Sequence, residues 1–100
     1  MLERDIEREA GRLVRARGGL WLKWISPGAA GVPDRILIAP GGRIVFVELK
    51  QETGRLSNLQ RWFRDRLRKL GCDARVTRNW EEVEALVDEI LPAKLPDGMH

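Results

Sequence analysis

The 100-residue chain has one cysteine, one histidine and no long apolar run. A lone Cys72 excludes an intrachain disulfide, and a single histidine at the C-terminus, His100, cannot complete a zinc site with it. A reducing, cytoplasmic setting is therefore expected. Cys72 follows Gly71 ahead of a short predicted strand and reads as a small buried hydrophobe, because no nearby histidine could activate it as a nucleophile. No stretch approaches the roughly 20 apolar residues that a membrane span needs. The first residues, Met-Leu-Glu-Arg-Asp, lack the apolar core of a secretion signal, so none is expected. Internal repeats and low-complexity segments are also lacking, and the length leaves no room for a second module.

Hydrophobic residues make up 43% of the chain, enough for one core, and the formal charge is +3 with a pI near 9.6. Arginine outnumbers lysine. That balance suits phosphate contacts, since a guanidinium binds two phosphate oxygens at once, and it points modestly to a nucleic-acid partner.

Leu2, Ile6, Ala10, Leu13 and Val14 recur at helical spacing, which predicts a helix from about Glu3 to Arg17, ended by Gly18-Gly19. Strands are expected at Leu20 to Ile25, Asp34 to Ala39 and Arg43 to Lys50, the last two joined by a Gly41-Gly42 turn. The Ser26 to Pro33 stretch reads as a loop. Ser57 with Gln60 three positions later forms a capping signal for a second helix, whose apolar stripe is Leu56, Leu59, Phe63, Leu67 and Leu70. Ala74 to Thr77 is a fourth strand. Asn79 with Glu82 opens a third helix carrying Val83, Leu86, Val87, Ile90 and Leu91, stopped by Pro92. The domain is thus expected over residues 1–91, with 92–100 a frayed tail. The order αβββαβα describes one α/β domain with a central mixed sheet flanked by helices, the third and fourth strands parallel through a right-handed crossover.

The hairpin concentrates chemistry. Side chains two apart on a strand share a face, so Glu48 and Lys50 project together, and the fold-back at Gly41-Gly42 brings Asp34 opposite them. Two carboxylates and an amine at one place suit metal-dependent phosphodiester hydrolysis. Mg²⁺ takes one or two carboxylates together with waters and phosphate oxygens, while a lysine can orient or deprotonate water and offset charge on the phosphate. Glu-x-Lys at a strand end is commonly a solvated ion pair, but the joint pattern with Pro33-Asp34 and the hairpin is far more specific.

Glu3-Arg4-Asp5-Ile6, Gly31-Val32-Pro33-Asp34, Val47-Glu48-Leu49-Lys50 and Leu56-Ser57-Asn58-Leu59-Gln60 together resemble the VRR-NUC family of the PD-(D/E)XK nuclease superfamily, over about residues 2 to 90. The likeness is to its small stand-alone viral and bacterial members, and it makes a phage- or bacterium-encoded protein the expectation. It implies a restriction-endonuclease-like fold, with Asp34, Glu48 and the Leu49 carbonyl as ligands for Mg²⁺, or Mn²⁺ in its place. Lys50 would be the catalytic lysine. Archaeal Holliday junction resolvases of the superfamily carry a first-helix glutamate; Glu3 is the first candidate for that role and Glu7, one turn on, the alternative. Gln60 would face the active site, although Ser57-x-x-Gln60 is also a capping box, whose rotamer is expected to turn away from the metal.

Lys23, Ser26, Arg35, Arg55 and Arg61, with Arg64, are candidates to meet DNA around this edge, Lys23 and Arg55 first, although any one arginine taken alone reads more readily as an ordinary surface residue. Trp21 and Trp24 fall on opposite faces of the first strand, so one should be buried and the other could meet a partner subunit. Trp62 sits among polar residues, where it could stack on an unpaired base or belong to a subunit interface. Because one small domain holds one site, cutting two strands of branched DNA requires pairing, and small relatives form two-fold dimers; a homodimer is expected. The expected function is a metal-dependent DNA endonuclease selective for branched DNA such as Holliday junctions or flaps. The alternatives are a non-catalytic DNA-binding or assembly module of the same fold, a small restriction-type endonuclease, or an unrelated α/β domain that binds an acidic protein.

Overall fold

The computed structural model describes residues 2–92. The chain runs through α1 (Glu3–Ala16), β1 (Leu20–Lys23), β2 (Arg35–Ala39), β3 (Arg43–Leu49), α2 (Asn58–Lys69), β4 (Asp73–Thr77) and α3 (Trp80–Ile90). The sheet order is β1-β2-β3-β4, antiparallel except for the parallel β3/β4 pair. The expected αβββαβα order and mixed sheet are what the chain forms. The tail expected at 92–100 lies, beyond Pro92, outside the described residues.

Local chemistry sets the boundaries. Pro40 and Gly41 occupy the central positions of the β2/β3 turn, closed by Gly42 N–H to the Ala39 carbonyl at 3.1 Å; Gly41 and Gly42 both have positive φ, at 88° and 83°. Proline then positive-φ glycine is the type II pattern. It fixes the register Arg35↔Val47 through Ala39↔Arg43. β1 stops at Lys23 rather than at the expected Ile25. The Trp24 N–H still reaches the Asp34 carbonyl at 2.8 Å, after which Ser26 and Pro27 carry the chain into a turn closed by the Ala29 N–H on the Ser26 carbonyl.

The two sheet faces are unequal. Leu37, Ala39, Val45, Val47 and Leu49 point to one side, where α1 and α3 supply Ala10, Val14, Val83, Leu86, Val87 and Ile90 to a continuous core. On the other side α2 lies over β4 and covers Ala74. Its expected core stripe forms only in part: Leu56 just ahead of the helix is buried and Phe63 and Leu67 are half-buried, but Leu59 and Leu70 are 53% and 66% exposed. Helical spacing shows only that one face is apolar; with α1 and α3 both on the opposite side, no further helix among the described residues packs outside α2 to cover it fully. Leu20, Leu22 and Ile44 on the same side of the sheet are likewise exposed. Trp24 stacks obliquely on Phe46 there, centroids 5.2 Å apart, while Trp21 packs into the core. Cys72 is half-buried. No helix among the described residues is long and apolar enough to cross a membrane.

Candidate active site

Arg35 stands across from Val47, so Asp34, one residue earlier, falls across from Glu48. The Asp34 carboxylate accepts the Leu49 N–H at 2.9 Å through Oδ2, which ties the end of the loop to the end of β3. Glu48 points toward α2 and is 5% exposed. Burial first, then a hydrogen bond to Asp34 and its charge, push the Glu48 carboxyl up to about 8; Lys50 pulls it down and Glu3 pushes it up. The charges of Lys50 and Glu3 are therefore both felt at Glu48. Two facing carboxylates, one starved of solvent, make a site that a cation would relieve.

Gln60 does two things at once. Its Oε1 accepts the Ser57 N–H at 2.9 Å, its own N–H donates to Ser57 Oγ at 3.1 Å, and its Nε2 donates to Glu48 Oε2 at 3.3 Å. The expectation that the capping rotamer would turn away from the site is thus corrected. The amide has two ends, and the box uses only the oxygen.

Gly31 joins the loop to the same corner. Its φ is +87°, and a Cβ there would come within 2.7 Å of Leu59 backbone and Cβ atoms. Only a glycine lets the chain approach the first turn of α2 this closely before running on to Asp34.

The two candidate helix-one carboxylates are in different surroundings. Glu7 forms an ion pair with the Arg35 guanidinium. Glu3 instead borders a cavity of about 520 Å³ together with Lys50, Thr53, Arg78 and Trp80. Arg35 corrects a further expectation. It is 5% exposed, turned onto the Leu37 and Val47 side of the sheet toward α1, with Nη1 3.5 Å from the Asp34 carbonyl, so it does not offer its charge to DNA. Burial lowers its pKa. Lys23, Arg55 and Arg61 are exposed, Ser26 is half-buried, and Arg64 is paired with Asp65 at 3.0 Å.

Arg78 and Trp80 carry weight that the sequence did not announce. Arg78 donates from Nη1 to the carbonyls of Gln51, at 3.4 Å, and Gly54, which fastens the 51–54 loop to the end of β4. The available signal was the parallel register. Leu49 pairs with Thr77 and the Lys50 N–H reaches the Thr77 carbonyl at 2.9 Å, so the segments leaving β3 and β4 must meet at one edge.

Among the described residues no group of three or more His, Cys, Asp or Glu side chains is gathered to hold a metal. The donor set that the family resemblance implies is Asp34, Glu48 and the Leu49 carbonyl. These are hard oxygen donors, few in number, which fits Mg²⁺ or Mn²⁺ because such ions keep several waters and take the remaining ligands from substrate.

Residues 7–80 match the family model described as the VRR-NUC domain. Glu7 begins that span, and Glu3 precedes it. A curated protein of Acyrthosiphon pisum secondary endosymbiont phage 1, p44, named as a candidate nuclease, is 48% identical over 48 residues, covering 48% of this chain and 52% of that protein. The match thus spans about half the length of that relative. A solved structure described as a VRR_NUC domain superposes with a TM-score of 0.80 at 32% identity, over 86% of this chain and 94% of that one.

Proposed function

The chain belongs to the VRR-NUC family, and on that premise we propose that it is a divalent-metal-dependent nuclease that hydrolyses DNA phosphodiester bonds, with a preference for branched DNA such as Holliday junctions and flaps. The observation that carries the reading is the buried Glu48 facing Asp34, with its carboxyl pushed up to about 8. A structural carboxylate gains nothing from that position, whereas a cation-binding one does. The nuclease name of the phage relative agrees with this chemistry and with an intracellular, phage- or bacterium-encoded protein.

Asp34, Glu48 and the Leu49 carbonyl would hold Mg²⁺ or Mn²⁺. When bound, the ion stabilises charge developing on the scissile phosphate. The Lys50 amine, which has no ion-pair partner among the described residues, holds the attacking water and offsets the same charge. Gln60 keeps Glu48 oriented, and Glu3 adds a carboxylate at the rim. Lys23, Arg55 and Arg61 meet phosphates without reading sequence. Two copies cut the two strands; the uncovered outer sheet face, with Leu20, Leu22 and Ile44 exposed, supports pairing.

The test is incubation of the purified protein with labelled duplex, single-stranded, flap and four-way-junction DNA in Mg²⁺, Mn²⁺ or EDTA. Cleavage of the branched substrates in either metal and none in EDTA is expected. No cleavage of any substrate in either metal overturns the activity.

A further inference from the structure

The cavity beside Lys50 is large enough for a drug-sized or nucleotide-sized group, at about 520 Å³. Trp80 lines it, and also lines a second, smaller cavity on the side of Glu9 and Leu13. Glu3, Glu52 and Glu81 supply carboxylates around the first cavity, against the cations Lys50 and Arg78. Arg78 already donates to the backbone of the 51–54 loop, and Glu52 accepts a single bond, from Asn79 Nδ2 at 3.3 Å. Glu3 and Glu81 have no side-chain partner among the described residues.

That charge pattern, three carboxylates against two cations, disfavours a backbone phosphate. It suits a neutral, flat group whose edge carries hydrogen-bond donors, since a carboxylate accepts from the exocyclic amine of cytosine or adenine and an indole face stacks on any base. We propose that this cavity is a subsite for one unpaired nucleobase next to the scissile phosphate, stacked on Trp80 and held at its amine edge by one carboxylate of the lining, from among Glu3, Glu52 and Glu81. The subsite rests on the proposed nuclease reading only for where the phosphate lies. It supplies a reason for preferring branched DNA: unstacking a base is least costly where it is already unpaired, and a fully paired duplex has none to offer.

The test is equilibrium binding, by fluorescence anisotropy in EDTA, of flap DNAs that carry a single abasic site at each position in turn around the branch. The parent protein should lose about tenfold in affinity at one position and little elsewhere, a loss in the range of one stacked base. Thymine in place of cytosine at that position should cost about fivefold, since it lacks the exocyclic amine. Trp80 also packs against the core, so the cavity is blocked instead from the exposed loop with Thr53→Trp. That variant should bind cytosine and abasic flaps alike. A flat abasic profile on the parent overturns the subsite, as does a positional loss that survives in Thr53→Trp. Cleavage in Mg²⁺ is scored separately; its absence, with the positional loss intact, counts against the proposed hydrolysis and leaves the subsite standing.

Discussion

Gln60 and Glu48 are joined by a 3.3 Å hydrogen bond from Nε2 to Oε2, made by a side chain whose oxygen simultaneously closes the cap of α2. The helix start and the buried carboxylate are therefore one assembly, and the two functions can be separated by mutation. Ser57→Ala removes one cap bond, and Gln60→Ala removes the other together with the Glu48 contact. Each should cost about 1 kcal/mol of stability, the usual worth of an N-cap. Cleavage should fall clearly in Gln60→Ala and little in Ser57→Ala, as read by denaturant melts and single-turnover kinetics. Equal activity in the two variants would reduce Gln60 to a cap.

The raised Glu48 carboxyl makes metal-free stability depend on pH. Its folded value, about 8, lies above the ordinary 4.5, so the folded state binds more protons than the unfolded chain between those values. Stability must then fall as pH rises through that window, by at most about 1.4 kcal/mol per pH unit. Thermal melts in EDTA from pH 5 to 9 should show the decline. Glu48→Gln should flatten it, and excess Mg²⁺ should restore stability at the alkaline end, because the cation binds the ionised form.

Asp34→Asn, Glu48→Gln and Lys50→Ala should each lower cleavage by at least about a hundredfold, the scale of one lost acid, base or electrostatic group. Folding and DNA binding in EDTA should persist. Glu48→Gln cutting as fast as the parent would displace the site from this corner.

Exposed and buried arginines should differ in salt dependence. Arg55→Ala, or Lys23→Ala, should reduce the slope of log affinity against log salt by about 1, as for one lost phosphate contact. Arg35 is buried against Glu7 and should not enter that slope. Glu7→Ala should instead destabilise the protein by about 2 kcal/mol, since it strips a charged hydrogen-bond partner from a buried guanidinium.

Gly31→Ala combines a positive φ with a 2.7 Å approach to Leu59. A left-handed alanine costs about 1–2 kcal/mol and overpacking about 1–3 kcal/mol, so a loss of about 2–5 kcal/mol is expected in a urea melt. Unchanged stability would mean that the loop does not pack on α2.

The Asp34, Glu48 and Lys50 corner was legible because it depends on local rules: the two-residue strand period and a turn whose proline and glycines fix register. The parallel β3/β4 pair followed from the helix that connects the two strands in the same way. Glu7 with Arg35 was not legible, because which helix carboxylate meets which strand depends on how α1 crosses the sheet, and no spacing encodes that angle. The stripe on α2 misled for a related reason: Leu59 and Leu70 report an apolar face without naming what covers it. Gln60 fell between the two cases. Its capping role could be read from Ser57 and its place facing the site from the family resemblance, but that one amide could serve both required knowing that Glu48 lies within reach of its nitrogen.

α2 buries none of its own side chains and rests chiefly over β4, so on heating its first turn should loosen while the α1/α3 side of the sheet is still intact. That turn carries Gln60. Warming the protein should therefore free Glu48 from its amide partner before the fold melts, and amide hydrogen exchange at the start of α2 should report the onset of heat inactivation earlier than any global melting signal.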